Sequence, residues 1–297
     1  MPRWIGAALA VFGLAYLVVF GMNHAADLPE ISWDARRVAG LASAVGLYEL
    51  TLLSGATAWH LLLRALGERP RFAAALGILA VSQAAKYLPG NVGHYIGRVA
   101  LARESGLAPA PVVLTLGLET ACAILAGLAV AAAALPLGVP GAPWRIAVAA
   151  VAAICALAAT LVLIRREPVR RRLRLPEPPP GGPTRQLGAG LACLGLCGFN
   201  FLVFGACAAI LARTVFETPA SLPALTGLFA AAWVAGFVTP GAPAGLGVRE
   251  AVLVGGLKPI VGPGVAFGLP ILFRLVTTAG DGVGFGLGWL LRRRARG

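Results

Sequence analysis

Six stretches of this chain, residues 4–22, 39–63, 112–135, 146–164, 187–211 and 264–291, are each long and apolar enough to cross a bilayer as a helix. A hydrocarbon core about 30 Å thick takes roughly 20 helical residues. So many such runs leave no room for a water-soluble core. Hydrophobic residues make up 58% of the chain and charged ones 12%, with a mean hydropathy of +0.82, whereas a soluble domain carries about a quarter charged residues. The fold class is therefore an all-α polytopic membrane protein, and residues 1–297 form a single integral membrane domain. The first stretch is longer than the apolar region of a cleavable signal and reads as a retained span. The cysteines Cys122, Cys155, Cys193, Cys197 and Cys207 sit inside apolar runs. Their spacing matches neither a metal site nor a redox pair, so they read as small buried hydrophobes. No metal and no cofactor is expected.

Two further apolar stretches, 72–88 and 222–238, stop at Pro89-Gly90 and Pro240-Gly241. Arg98 follows Pro89 by nine residues, as Arg249 follows Pro240, and the two breaks are 151 residues apart in a chain of 297. The chain thus reads as two halves with a broken helix at the same place in each, a pattern that points to a substrate site near the bilayer midplane. If 72–88 crossed fully, the basic run from Arg165 to Arg174 would fall on the opposite side from Arg3, Arg64, Arg69 and Arg71, against the positive-inside rule. Two re-entrant hairpins remove that conflict; simple kinks in two full spans do not. The expected layout is a repeat unit 39–135, a linking span 146–164, a cytoplasmic basic loop 165–186 and an inverted unit 187–291. Six spans and two opposed hairpins result, with both termini in the cytoplasm of a bacterial-type inner membrane.

Each hairpin carries its own chemistry. Proline removes a backbone donor and drives the preceding residue out of the helix, and glycine permits the turn. The second arm then begins at membrane depth with unbonded N–H groups and the positive end of its dipole, which favours an anion. Lys86, Asn91, His94 and Arg98 in the first hairpin, and Gly245, Arg249 and Glu250 in the second, join Pro89, Gly90, Pro240 and Gly241 as candidate substrate-binding residues. Arginine suits bidentate contact with phosphate, so phosphate is the favoured anion. The plainer reading is that both arginines mark the membrane boundary and pair with headgroups, Glu104 or Glu250.

Charges also lie deep within spans, where they are costly and usually face a cavity. Glu49, Glu119, Arg274 and Asp281 are of this kind. Glu119 and Arg274 occupy the span after the hairpin in their own halves, so they are expected to meet at the repeat axis, as a clamp or as cargo ligands. Asp281 follows Arg274 by seven residues on the same helical face, and Glu49 is a candidate for proton coupling. Gly280, Gly284 and Gly288 form a smooth face that reads as close helix packing.

The segments Ala85-Lys86-Tyr87-Leu88-Pro89-Gly90 with Gly97-Arg98, and Pro240-Gly241 with Gly245-Leu246-Gly247-Val248-Arg249-Glu250-Ala251, resemble the paired signatures of a flippase-like integral membrane family. That family is typified by the transmembrane region of lysylphosphatidylglycerol synthase. The resemblance implies translocation of phospholipids or polyprenyl-linked sugars between leaflets, with the matching positions at the broken helices. The synthase's soluble aminoacyl-transfer domain has no counterpart here, so lysyl transfer, and enzymatic activity generally, is not expected. The expected partner is an anionic lipid or lipid-linked substrate within the bilayer. The basic flanks of the loop 165–186 in a chain of net charge +13 fit lipid headgroups rather than nucleic acid. Two alternatives stand beside this reading: an ion-coupled carrier of a small anion, and a non-catalytic subunit partnering a glycosyltransferase.

Overall fold

The computed structural model describes residues 31–87, 93–134, 182–239 and 245–296, together with Met22 and Arg171. The expected span 146–164, the expected span 4–22 apart from Met22, and the break residues Pro89, Gly90, Asn91, Pro240 and Gly241 lie outside the described residues. Within them the protein is all-helical. Helix α1 spans Ala35–Ala65, α2 Phe72–Gln83, α3 Gly93–Glu104, α4 Pro109–Ala134, α5 Gly182–Thr214, α6 Leu222–Val238, α7 Val248–Val261 and α8 Pro263–Arg296, with a 3-10 turn at Ala84–Tyr87 after α2. Among the described residues four helices, α1, α4, α5 and α8, are long and apolar enough to cross a membrane. Helices α2 and α6 are apolar but shorter.

Local chemistry sets the helix ends. Asp34 caps α1, its carboxylate accepting from the Arg37 amide at 2.8 Å, which satisfies one of the orphan donors of a helix start. At the far end Gly67 takes φ 99 and the Glu68 amide reaches back to the Leu63 carbonyl at 3.0 Å, a glycine-dependent C-terminal closure. Helix α6 follows Ser221 with Pro223 in its first turn, where the missing N–H costs nothing.

The long helices α1 and α5 pack antiparallel. Gly40 lies against Thr214, Ala44 accepts from Cys207 at 3.4 Å, Tyr48 stacks on Phe204 and Ser54 hydrogen-bonds Asn200, so one numbering rises as the other falls. Gln186 closes one end on the Ala65 carbonyl at 3.2 Å, and Arg37 closes the other on Glu217 at 3.0 Å. Helix α8 runs parallel to α1, with Gly280 against Tyr48 and Gly284 against Leu52, and antiparallel to α2, with Gly288 against Ala80 and Gly77. The glycine face of α8 is therefore a packing face, as its spacing implied.

Helices α2 and α3 fold back on one another, and both ends of that segment lie at one end of the bundle. The Ala108 amide, just after α3, reaches Glu68, just before α2, at 3.4 Å, and Glu104 pairs with Arg292 at the tail of α8 at 3.1 Å. Helices α6 and α7 do the same at the opposite end. There Val215, Phe216 and Ala220 share an apolar cluster with Val261 and Ala266.

The pairing of elements has a simple symmetry. Helix α2 packs on α8 as α6 packs on α4; α1 touches α8 and α4 as α5 touches α4 and α8. Exchanging α1–α4 for α5–α8 leaves these neighbours unchanged. The sequence holds a matching signal beyond the Pro-Gly breaks: Arg64, Glu68 and Pro70 recur 149 residues on as Arg213, Glu217 and Pro219.

Candidate functional site

A cavity of about 260 Å³ opens where the two helical hairpins face each other. Lys86, His94, Tyr95 and Arg98 enter its wall from the first hairpin, and Gly245, Arg249 and Glu250 from the second. Glu119 on α4 and Arg274 on α8 complete the charged lining. Four cations thus face two carboxylates in a space bounded by apolar helices. Helix α7 starts here as well, at Val248 after Gly247, so the positive end of its dipole points toward the cavity wall.

Arg98 is held from two sides. Its Nη1 lies 2.6 Å from Glu119 Oε2, with the side chain 2% exposed, and its guanidinium sits 5.2 Å above the Trp59 ring. Trp59 is itself oriented by donating Nε1–H to Thr115 at 3.0 Å. Next to it Tyr95 and Thr120 share a hydrogen bond of 2.7 Å. In the second hairpin the Arg249 guanidinium lies 5.8 Å from the rings of both Phe204 and Phe273, cation–π neighbours that position the charge. Glu250 accepts from the Gly247 amide at 2.8 Å and forms an ion pair with Arg274. Gly247 and Gly245 take φ 84 and 72; a Cβ on Gly245 would lie 3.1 Å from Gly236 Cα. That close approach lets the start of α7 lie against α6.

The expected meeting of Glu119 with Arg274 is not what forms. Glu119 is taken by Arg98 and Arg274 by Glu250. The short helices α3 and α7 come between the two spans and offer nearer opposite charges. The outcome is one ion pair per half, each joining a short helix to the long helix after it, with the polarity reversed between halves. Asp281 and Glu49 do not line the cavity. Asp281 sits behind it, 2.6 Å from Lys86 and accepting from Tyr48 at 3.0 Å. The Glu49 carboxylate rests against Gly280 and Gly284.

Sequence reasoning missed the aromatic part of this wall. Tyr48, Phe204, Trp233, Phe237 and Phe273 all line the cavity, and Trp233 stacks on Phe237 with centroids 5.0 Å apart. Tyr48 stands beside Glu49 in mid-span, the one aromatic whose position gave a usable hint. Of the cysteines, Cys122, Cys193, Cys197 and Cys207 are buried and free.

Long apolar helices and short helix pairs that converge on a charged cavity define a multi-pass membrane protein. The chain belongs to the family of the lysylphosphatidylglycerol synthase TM region, which it matches over residues 3–281. A comparison with curated proteins finds no match.

Proposed function

We propose that this protein is a lipid translocase that moves a phospholipid or a polyprenyl-phosphate-linked sugar between leaflets without covalent chemistry. The observation that carries the reading is the convergence of Lys86, Arg98, Arg249 and Arg274, from both halves, on one cavity. Arginine forks and the α7 N-terminus suit phosphate oxygens, and the aromatic wall suits the apolar or sugar portion next to them. In this reading the segments 72–104 and 222–261 are re-entrant hairpins of an inverted repeat, one opening to each side, and six spans enclose them. The end that carries Arg64, Arg69, Arg71, Arg103 and the tail Arg292-Arg293-Arg294 is the cytoplasmic one by the positive-inside rule. The headgroup phosphate passes from the Arg98 side to the Arg249 side while its tails stay in lipid.

The test is reconstitution into liposomes that hold a headgroup-labelled phospholipid or a polyprenyl-phosphate sugar, with leaflet exchange read by a membrane-impermeant quencher. Each arginine contact with phosphate is worth about 1.5–3 kcal/mol, so Arg98→Gln combined with Glu119→Gln, which leaves no carboxylate uncompensated, and Arg249→Gln each remove most exchange in protein that melting shows to be folded. Wild-type exchange in both variants overturns the reading and leaves the arginines as structural groups.

A further inference from the structure

We propose that the protein holds a second phosphate site, apart from the central cavity and at one end of the molecule only, for the headgroup of an anionic lipid. A cavity of about 290 Å³ lies there, lined by Arg64, Gly67, Glu68, Arg69 and Arg185. Arg64 comes from the last turn of α1 and Arg185 from the first turn of α5. Gly67, at φ 99, turns the chain so that Arg69 comes round to the same space.

Among the described residues the charges in this cavity are not balanced. None of the three arginine side chains has an ion pair or hydrogen bond to another described residue. The one carboxylate, Glu68, accepts from the Ala108 backbone amide. Three like charges around one small space repel each other, and the planar forks of arginine match phosphate oxygens. The first turn of α5 adds the positive end of a long helix.

The opposite end of the molecule differs in how its glutamate is held. The counterparts of Arg64, Glu68, Arg69 and Arg185, 149 residues away, are Arg213, Glu217, Thr218 and Arg36. There Arg37 pairs with Glu217 at 3.0 Å, and threonine replaces one arginine. The counterpart of Arg37 is Gln186, whose amide is spent on the Ala65 carbonyl and which brings no charge to Glu68. One end gives its glutamate a cationic partner, Arg37, and the other does not.

A lipid rather than a free anion fits the surroundings. Phe72 at the start of α2 and Leu187 and Leu191 on α5 are 40%, 44% and 48% exposed, apolar surface along which acyl chains can lie. Basic residues at such a boundary attract anionic headgroups at about 1 kcal/mol each even without a built site. The experiment must therefore separate a site from a field.

Wild type, the variant Arg64→Gln/Arg69→Gln/Arg185→Gln and the control Arg103→Gln/Arg293→Gln/Arg294→Gln are released from phosphatidylcholine nanodiscs doped with phosphatidylglycerol and examined by native mass spectrometry. The control removes three exposed arginines from the same end. The expected result is that the first variant loses a retained phosphatidylglycerol that wild type and control keep, its retention falling about tenfold or more. Melting in pure phosphatidylcholine shows whether each variant is folded, and single substitutions replace the triple if it is not. Equal loss in variant and control, or no loss in either, overturns the proposal. In detergent, a melting shift with phosphatidylglycerol and none with inorganic phosphate is the lipid outcome; a shift with inorganic phosphate that the variant abolishes assigns the site to a free anion and overturns the lipid assignment.

Discussion

Lys86 Nζ lies 2.6 Å from Asp281 Oδ2, joining the last turn before the first break to the final long helix of the other half. Tyr48 donates to the same carboxylate. The position 151 residues on from Lys86 is Phe237, which carries no charge, so the link exists at one of the two matching interfaces. Lys86 also stands in the cavity wall, where it can face a substrate phosphate.

Removing one partner of such a pair leaves a charge with little water around it, at a cost of about 3–5 kcal/mol. Lys86→Met is therefore expected to lower the melting temperature in detergent markedly, and Lys86→Met/Asp281→Asn to lower it less than the two singles combined. Strict additivity in that cycle shows that the pair does not form.

The reversed ion pairs give a second cycle. Arg98 with Glu119, and Arg274 with Glu250, are expected to couple by about 0.5–3 kcal/mol, whereas Glu119 with Arg274 is expected to be additive. Thermal melting of Gln and Met replacements, singly and in pairs, checks all three. Coupling confined to Glu119 and Arg274 contradicts the pairing described here.

Glycines of α5 differ by what lies opposite them. A Cβ on Gly205 would lie 2.8 Å from the Thr226 Cα, whereas one on Gly198 meets nothing within 4 Å. Gly205→Ala is expected to destabilise by about 1–3 kcal/mol through overpacking against backbone. Gly198→Ala is expected to be neutral or to gain up to about 1 kcal/mol from helix propensity. Similar melting temperatures for the two variants speak against the close approach of α5 and α6.

Sidedness is tested by cysteine labelling. Arg71, Ser105, Glu217 and Lys258 are exposed and flank the two hairpins. Cysteines at Arg71 and Ser105 are expected to label only from the cytoplasm, and those at Glu217 and Lys258 only from outside. Labelling of Arg71 and Ser105 from opposite faces makes 72–104 a crossing segment and removes the hairpin.

Much of the helical frame was legible because apolar length is a one-dimensional signal. The stretch 222–238 is α6 to the residue, and 264–291 lies within α8, which continues to Arg296 because the arginine tail can remain helical outside the apolar zone. The partners of buried charges were not legible in the same way. Helical spacing gives the face of α4 on which Glu119 sits, but not which neighbour rotates into reach, and Arg98 on a short helix arrived first. The aromatic wall was hidden for a related reason: in a chain this apolar, Phe204 and Trp233 read like any other lipid-facing residue until α5 and α6 are placed around a polar space. Lys86 stood out as part of the first signature, while its hold on Asp281 depends on α2 and α8 being adjacent, which no local pattern announces.

Because the equivalent helices α1 and α5 meet head to tail, the seam between them is self-complementary: Arg37 at the start of one reaches the end of the other, and Gln186 returns the gesture. Two copies of a half-length protein, one turned upside down in the bilayer, share a surface of that isologous kind about a two-fold axis in the membrane plane. Tethering the halves in one polypeptide makes their association independent of how much protein the membrane contains. It also frees the two faces of the seam to diverge: Arg37 reaches a carboxylate at one end, whereas Gln186, in the matching place, reaches a backbone carbonyl at the other.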